Sequence, residues 1–197
     1  MSADDGGNNA GKNYLFLAAD LPSVGSNIAL SDSHFTFAGE AANDKASDAM
    51  ASAGDVDADG LDDLLFGAYS NDQGGVNVGK AYLVFASELT QGGSMSLADS
   101  SRVFIGNAAN EFTATHVASV GDMDGDGYGD IMIGAHANDE WLTDSGKSYL
   151  LFGWNLTTGG TEHDFALREY DYAFVGTSGD YMSGSSFCTL GDIDGDG

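Results

Sequence analysis

Apolar residues in this chain fall in short runs separated by clusters of glycine, asparagine and aspartate, a pattern that predicts strands joined by tight turns. One stretch reads as four strands, at 50–53, 63–68, 80–86 and 102–105. The middle runs, Leu64-Leu65-Phe66 and Tyr82-Leu83-Val84-Phe85, are apolar without alternation, which implies burial on both faces. Glycine is abundant, with 29 residues against a single proline, and strengthens the all-β reading. An apolar share of 42% is enough for a folded core.

The four-strand pattern repeats. Phe37, Phe104 and Phe174 correspond, as do Gly39, Gly106 and Gly176, while Lys80 and Tyr82 match Lys147 and Tyr149. The offset is 67 residues between the first two copies and 70 between the second and third. Gly11-Lys12-Asn13-Tyr14-Leu15 matches Gly79-Lys80-Ala81-Tyr82-Leu83, so the chain is expected to open and close in mid-unit. A sheet buried on both faces must lie between similar sheets, and four-stranded units stacked radially make the blades of a β-propeller. The expected fold is therefore all-β, an incomplete propeller segment of four-stranded antiparallel blades, with two whole blades and partial flanking ones. The boundaries are a partial blade at 1–39, blades at 40–106 and 107–176, and the start of a further blade at 177–197.

Each unit carries an acidic nine-residue pattern, D-x-D-x-D-G-x-x-D. It spans 55–63 and 122–130 in full, and recurs as Asp192-Ile193-Asp194-Gly195-Asp196-Gly197. Alternate carboxylates followed by a turning glycine suit calcium, a hard cation that takes six to eight oxygen ligands. Carboxylates roughly 5 Å apart repel by about 3 kcal/mol per pair at an effective dielectric near 20. A bound cation would convert that repulsive turn into a rigid corner. The EF-hand shares the opening of the pattern but needs a bidentate glutamate at position twelve, where Phe66 and Ile133 stand, and flanking helices in place of strand-like runs.

Gly54-Asp55-Val56-Asp57-Ala58-Asp59-Gly60 with Phe66-Gly67-Ala68-Tyr69, and Gly121-Asp122-Met123-Asp124-Gly125-Asp126-Gly127 with Ile133-Gly134-Ala135-His136, resemble the FG-GAP repeats of integrin α-subunit propellers and of many bacterial surface and secreted proteins. Tyr69 and His136 stand where the motif that names the family has proline. The resemblance assigns the side chains of Asp55, Asp57, Asp59 and Asp63 and the carbonyl of Leu61 to one calcium ion. It assigns Asp122, Asp124, Asp126, Asp130 and the carbonyl of Tyr128 to a second. Asp192, Asp194 and Asp196 form a third loop without its seventh and ninth positions, expected to bind weakly or not at all.

The resemblance implies a non-enzymatic, calcium-stabilised propeller segment of an extracellular or cell-surface protein, with adhesion or recognition of a protein or carbohydrate ligand as its role. The alternatives are an accessory propeller of a secreted hydrolase, such as a phospholipase that cleaves glycosylphosphatidylinositol, and a carbohydrate-binding propeller. Acids number 31 against 6 bases, a formal charge of −25, which disfavours nucleic acid and anionic membranes as partners. No apolar run is long enough for a membrane helix, and none of the nucleophile-elbow, zinc-protease or P-loop motifs occurs. Cys188 aligns with Ala51 and Ala118 and is expected to fill a small buried site. His136 is read as a surface or turn position, with a contact to the calcium hairpin as the lesser alternative, His163-Asp164 as an exposed loop, and Asn155-Leu156-Thr157 as a glycosylation sequon. Tyr69, Trp141 and Trp154 are candidates for an aromatic binding surface, with rim packing the expected alternative.

Overall fold

A computed structural model describes residues 6–89, 91–158, 164–168 and 170–188, with backbone alone at 158 and 164–166. The described chain is all-β with little helix. Three sheets form from β1 (Lys12–Leu15), β2 (Phe35–Ala38), β3 (Ala49–Gly54), β4 (Asp63–Ala68), β5 (Lys80–Val84), β6 (Gly93–Ser96), β7 (Arg102–Ile105), β8 (Thr113–Gly121), β9 (Asp130–Ala135), β10 (Lys147–Leu151), β11 (Asp164–Ala166) and β12 (Tyr172–Val175). A six-residue helix, α1 (Gly153–Thr158), follows β10.

The expected four-strand unit is present twice. Strands β3, β4, β5 and β7 pair antiparallel in one sheet, and β8, β9, β10 and β12 do so in another. The strand expected at 80–86 ends at Val84, because the chain turns into a short 3-10 helix from Ala86. The pairing also goes beyond plain four-stranded blades. The connection between the third and fourth strands of a unit reaches back to the preceding sheet: β6 pairs parallel with β2, and β11 parallel with β7.

The middle sheet is buried on both faces. Phe66, Ala68, Tyr82 and Val84 point toward Phe35 and Phe37 of the preceding sheet, and the Phe37 and Phe66 ring centroids lie 4.8 Å apart. Their neighbours Leu65, Ala81 and Leu83 point the other way, against Ala114, Val117, Ile131, Ile133 and Tyr149. Successive strand residues face opposite sides, so a run apolar at every position is what two interfaces require. On β12 the counterpart of the buried Phe104 is Phe174, 51% exposed, because among the described residues no further sheet packs on that face.

The Phe66-Gly67-Ala68 segment shows why its glycine is needed. A Cβ on Gly67 would sit 2.2 Å from the Ala114 carbonyl oxygen of the next sheet, and one on Gly134 would sit 2.0 Å from the Gly184 carbonyl oxygen. Here the backbones themselves meet, and even a methyl group has no room. Replacing Gly67→Ala should force the two sheets apart and cost about 1–3 kcal/mol. Urea denaturation of the variant measures this, and an unchanged midpoint would mean the sheets do not approach this closely.

Candidate metal centres

Both complete acidic loops turn a β-hairpin corner, between β3 and β4 and between β8 and β9. Strands flank each loop on both sides, which removes the EF-hand alternative. Each loop opens on a register shift, where the Gly54 and Gly121 amides donate to Ser52 Oγ and Ser119 Oγ, both at 3.2 Å. The first aspartate then gathers the turn. Asp55 accepts from the Asp59 and Gly60 amides, each at 2.9 Å, and Asp122 accepts from Asp126 at 3.1 Å and Gly127 at 2.9 Å. Gly60 and Gly127 both sit at φ 92°, the left-handed conformation the turn needs. Ala58 takes φ 58° where the second loop has Gly125 at φ 76°, so the first loop holds a strained alanine at its fourth position.

The ninth aspartate does something different. Asp63 is fully buried, and its two oxygens accept from the Val56 amide within the loop and from the Ala86 amide beyond β5, both at 2.9 Å. Asp130 repeats the arrangement with Met123 at 2.7 Å and Gly153 at 2.9 Å. Each of these carboxylates therefore fastens its loop to the end of the third strand. Burial pushes both acids up to about 6, against the opposing pull of those backbone donors, and the neighbouring loop aspartates add to the rise. The two loops also touch: the Gly129 amide donates to the Asp55 carbonyl at 2.6 Å, and a Cβ on Gly129 would meet the Asp55 backbone at 3.0 Å.

The fold brings carboxylate oxygens of Asp55, Asp57 and Asp63 within 4.8 Å of one another, and likewise those of Asp122, Asp124 and Asp130. Oxygens bound to one calcium ion at 2.3–2.6 Å lie at most about 5 Å apart, so each trio fits such an ion. Asp59 and Asp126 stand outside these trios. Their Oδ1 atoms accept from the Leu61 amide at 2.8 Å and the Tyr128 amide at 2.9 Å. Those same residues, Leu61 and Tyr128, carry the carbonyls assigned by resemblance. Asp192, Asp194 and Asp196 lie outside the described residues, as does His163.

A second polar constellation occupies the opposite ends of the same strands. Asn71 donates to Glu40 at 2.7 Å and to Asp44 at 2.6 Å, and the buried Lys80 pairs with Glu40. In the next unit Asn138 donates to Glu111 at 2.7 Å, and the buried Lys147 pairs with Glu140. Burial raises the carboxyls of Asp44 and Glu111. Sequence reasoning aligned the lysines but passed over their partners, although Asp44 and Glu111, like Asn71 and Asn138, repeat at the same 67-residue offset.

His136 lies in the turn expected of it, one expectation (the buried Cys188) needs correction, and two lesser alternatives fall away. His136 follows the far end of β9, away from the acidic loop. It meets Thr115 Oγ1 at 2.9 Å and stacks on Phe112, and burial lowers its basicity despite Asp144. Cys188 is exposed, since among the described residues no further sheet forms around it. The aromatic trio does not gather: Trp154 meets Tyr128 at the loop end, Tyr69 approaches Phe112 at the opposite end, and Trp141 is 67% exposed.

Residues 114–151 match the family model described as FG-GAP repeat, a span that begins in β8, contains the whole second acidic loop and ends with β10. No curated protein matches the chain.

Asp63 and Asp130 titrate in the folded protein at about 6, above the ordinary aspartate value of 3.8. The folded state therefore binds more protons than the unfolded chain between those values. Their contribution to stability is fully present below the ordinary value and is lost as pH rises through about 6. In chelator, melting temperature should decline across that window; a rise would contradict the burial of these two acids.

Proposed function

Because residues 114–151 form an FG-GAP repeat, we propose that the chain is a segment of a calcium-stabilised β-propeller in which each ion braces one hairpin corner. The observation that carries this reading is the pair of carboxylate trios, Asp55, Asp57 and Asp63 and Asp122, Asp124 and Asp130, placed identically in consecutive units. Asp59 and Asp126, with the carbonyls of Leu61 and Tyr128, complete the proposed ligand sets. Calcium supplies the positive charge that these corners otherwise lack. The buried ninth aspartate then transmits it, since the same carboxylate holds the loop and the end of the third strand.

The proposed setting is extracellular or cell-surface. Millimolar calcium would saturate loops of modest affinity there, and a charge of −25 favours solubility. No helix among the described residues is long and apolar enough to cross a membrane. The proposed role is adhesion or recognition, with binding in place of catalysis and the calcium ions structural.

Chelation should lower the melting temperature near neutral pH and calcium should restore it, with a gain of about 2.7 kcal/mol per site at a hundredfold excess over the dissociation constant. Identical melting curves in chelator and in millimolar calcium would remove the structural-ion reading. Asp57→Ala should cost about one bound ion per chain in a calorimetric titration while the site around Asp122 stays intact. Unchanged stoichiometry would show that the ligands are misassigned.

A further inference from the structure

Residues 30–37 align with 97–104 and with 167–174, so Leu30, Leu97 and Leu167 correspond, as do Phe37, Phe104 and Phe174. Leu97 and Leu167 are fully buried, whereas Leu30 is 57% exposed. Leu97 shares a core cluster with Phe37 on one side of the middle sheet, and Leu167 shares the other cluster with Phe104. The remaining phenylalanine of the series, Phe174, is exposed as well. An apolar contact that the chain makes twice therefore has two unmatched halves, Leu30 near one end of the stack and Phe174 at the other.

The backbone shows the same two halves. Each buried leucine directly follows a strand that reaches back to the preceding sheet, β6 ending at Ser96 and β11 at Ala166. The register is constant, with Phe37 opposite Met95 and Phe104 opposite Phe165. By the same offset the segment before Leu30 is Ser26-Asn27-Ile28-Ala29. Its end is already extended: Ala29 sits at φ −77° and ψ 143°, as Ser96 does at φ −78° and ψ 137°, and a 3-10 helix follows each, Leu30–Asp32 and Leu97–Asp99. Among the described residues, however, 26–29 joins no sheet, and β12 pairs with β10 alone, so the other edge of β12 carries no parallel strand. One copy cannot join its own two halves, because its middle sheet packs between them.

We infer that a second copy of this chain supplies the missing half, segment 26–29 of one copy pairing parallel to β12 of another, with Ile28 opposite Phe174 and Leu30 against the exposed face of that strand. An open strand edge takes a further strand through main-chain hydrogen bonds. Side chains favour the same union, since Tyr172, Phe174 and Val175 on one surface and Ile28 and Leu30 on the other are all exposed, and joining them removes apolar area from water. The ends do not compete for place. Residues 183–188 align with the opening of β8, the first strand of its unit, and the Gly184 carbonyl faces Gly134 as the Ala114 carbonyl faces Gly67. Strands β1 and β2 correspond instead to the third and fourth strands of a unit, so the two copies contribute different strands to one blade. The contact joins unlike surfaces, head to tail, and such contacts either close into a ring or propagate. Each copy brings three sheets, so two copies joined at both ends bring six, within the four to eight blades at which propellers close. The inference rests on the repeated strand pairing and not on a bound ion.

Analytical ultracentrifugation of the 197-residue chain tests this, in about 0.15 M salt so that the negative charge of each copy is screened. The sedimenting mass should rise with concentration to that of two or more copies. Leu30→Asp and Phe174→Asp should each weaken assembly about tenfold or more. Both side chains are exposed in the single copy, so circular dichroism should show the sheets intact in each variant. Mixing the two variants should restore a one-to-one pair, because the first keeps a sound β12 face and the second a sound 26–30 segment. Assembly of Leu30→Asp at the parent's affinity, or no pairing on mixing, would overturn the inference. So would a chain that stays monomeric up to about 1 mM, an outcome that leaves both surfaces to a different protein.

Discussion

Each sheet corner depends on a carboxylate carried into the protein interior. Asp63 and Asp130 are fully buried, and desolvation disfavours their charged forms. They remain because nothing else there could accept from two amides at once, one in the loop and one beyond the third strand. An alanine would leave the Val56 and Ala86 amides without acceptors, at about 1–3 kcal/mol for each one buried. The more exposed aspartates at the loop start serve the turn by gathering its amides. The structural role and the proposed metal-holding role therefore meet in the same side chain, and a cation at the trio would stabilise the charge that burial disfavours.

Between corners, the sheets are held by interfaces with little tolerance. Phe66 fills one face of the middle sheet and the absent side chain of Gly67 clears the other, so two consecutive residues of β4 serve two different interfaces. Stacking of this kind makes each unit depend on its neighbours. The exposure of Phe174, against the burial of Phe104 and Phe37 at the same position of earlier units, marks the face where that dependence is unmet among the described residues.

Much of this was legible in the sequence, because the signals were local and repeated. The runs at 63–68 and 80–86 announced two-faced burial through their lack of alternation, and the spaced aspartates announced their corners. What escaped was decided by tertiary contact. Strand β6, Gly-Ser-Met-Ser, carries no apolar pattern and becomes a strand only because β2 lies alongside it. The side chains of Glu40, Asp44 and Asn71 look like ordinary surface polar residues until the fold brings them around Lys80. His136 occupies the turn read for it, but a strand separates it in space from the Asp122 loop that is close to it in sequence.

The back-reaching connections that place β6 beside β2 and β11 beside β7 mean that neither of those two sheets is coded by one unit alone. In these two sheets an outermost strand is supplied by the unit after it. A cut or a recombination crossover placed between two units would strip the earlier sheet of its parallel edge strand and uncover amides on β2 or β7 that were paired before. Such edges invite pairing between molecules, so shortened versions of this chain should self-associate more readily than their loss of core area alone would suggest.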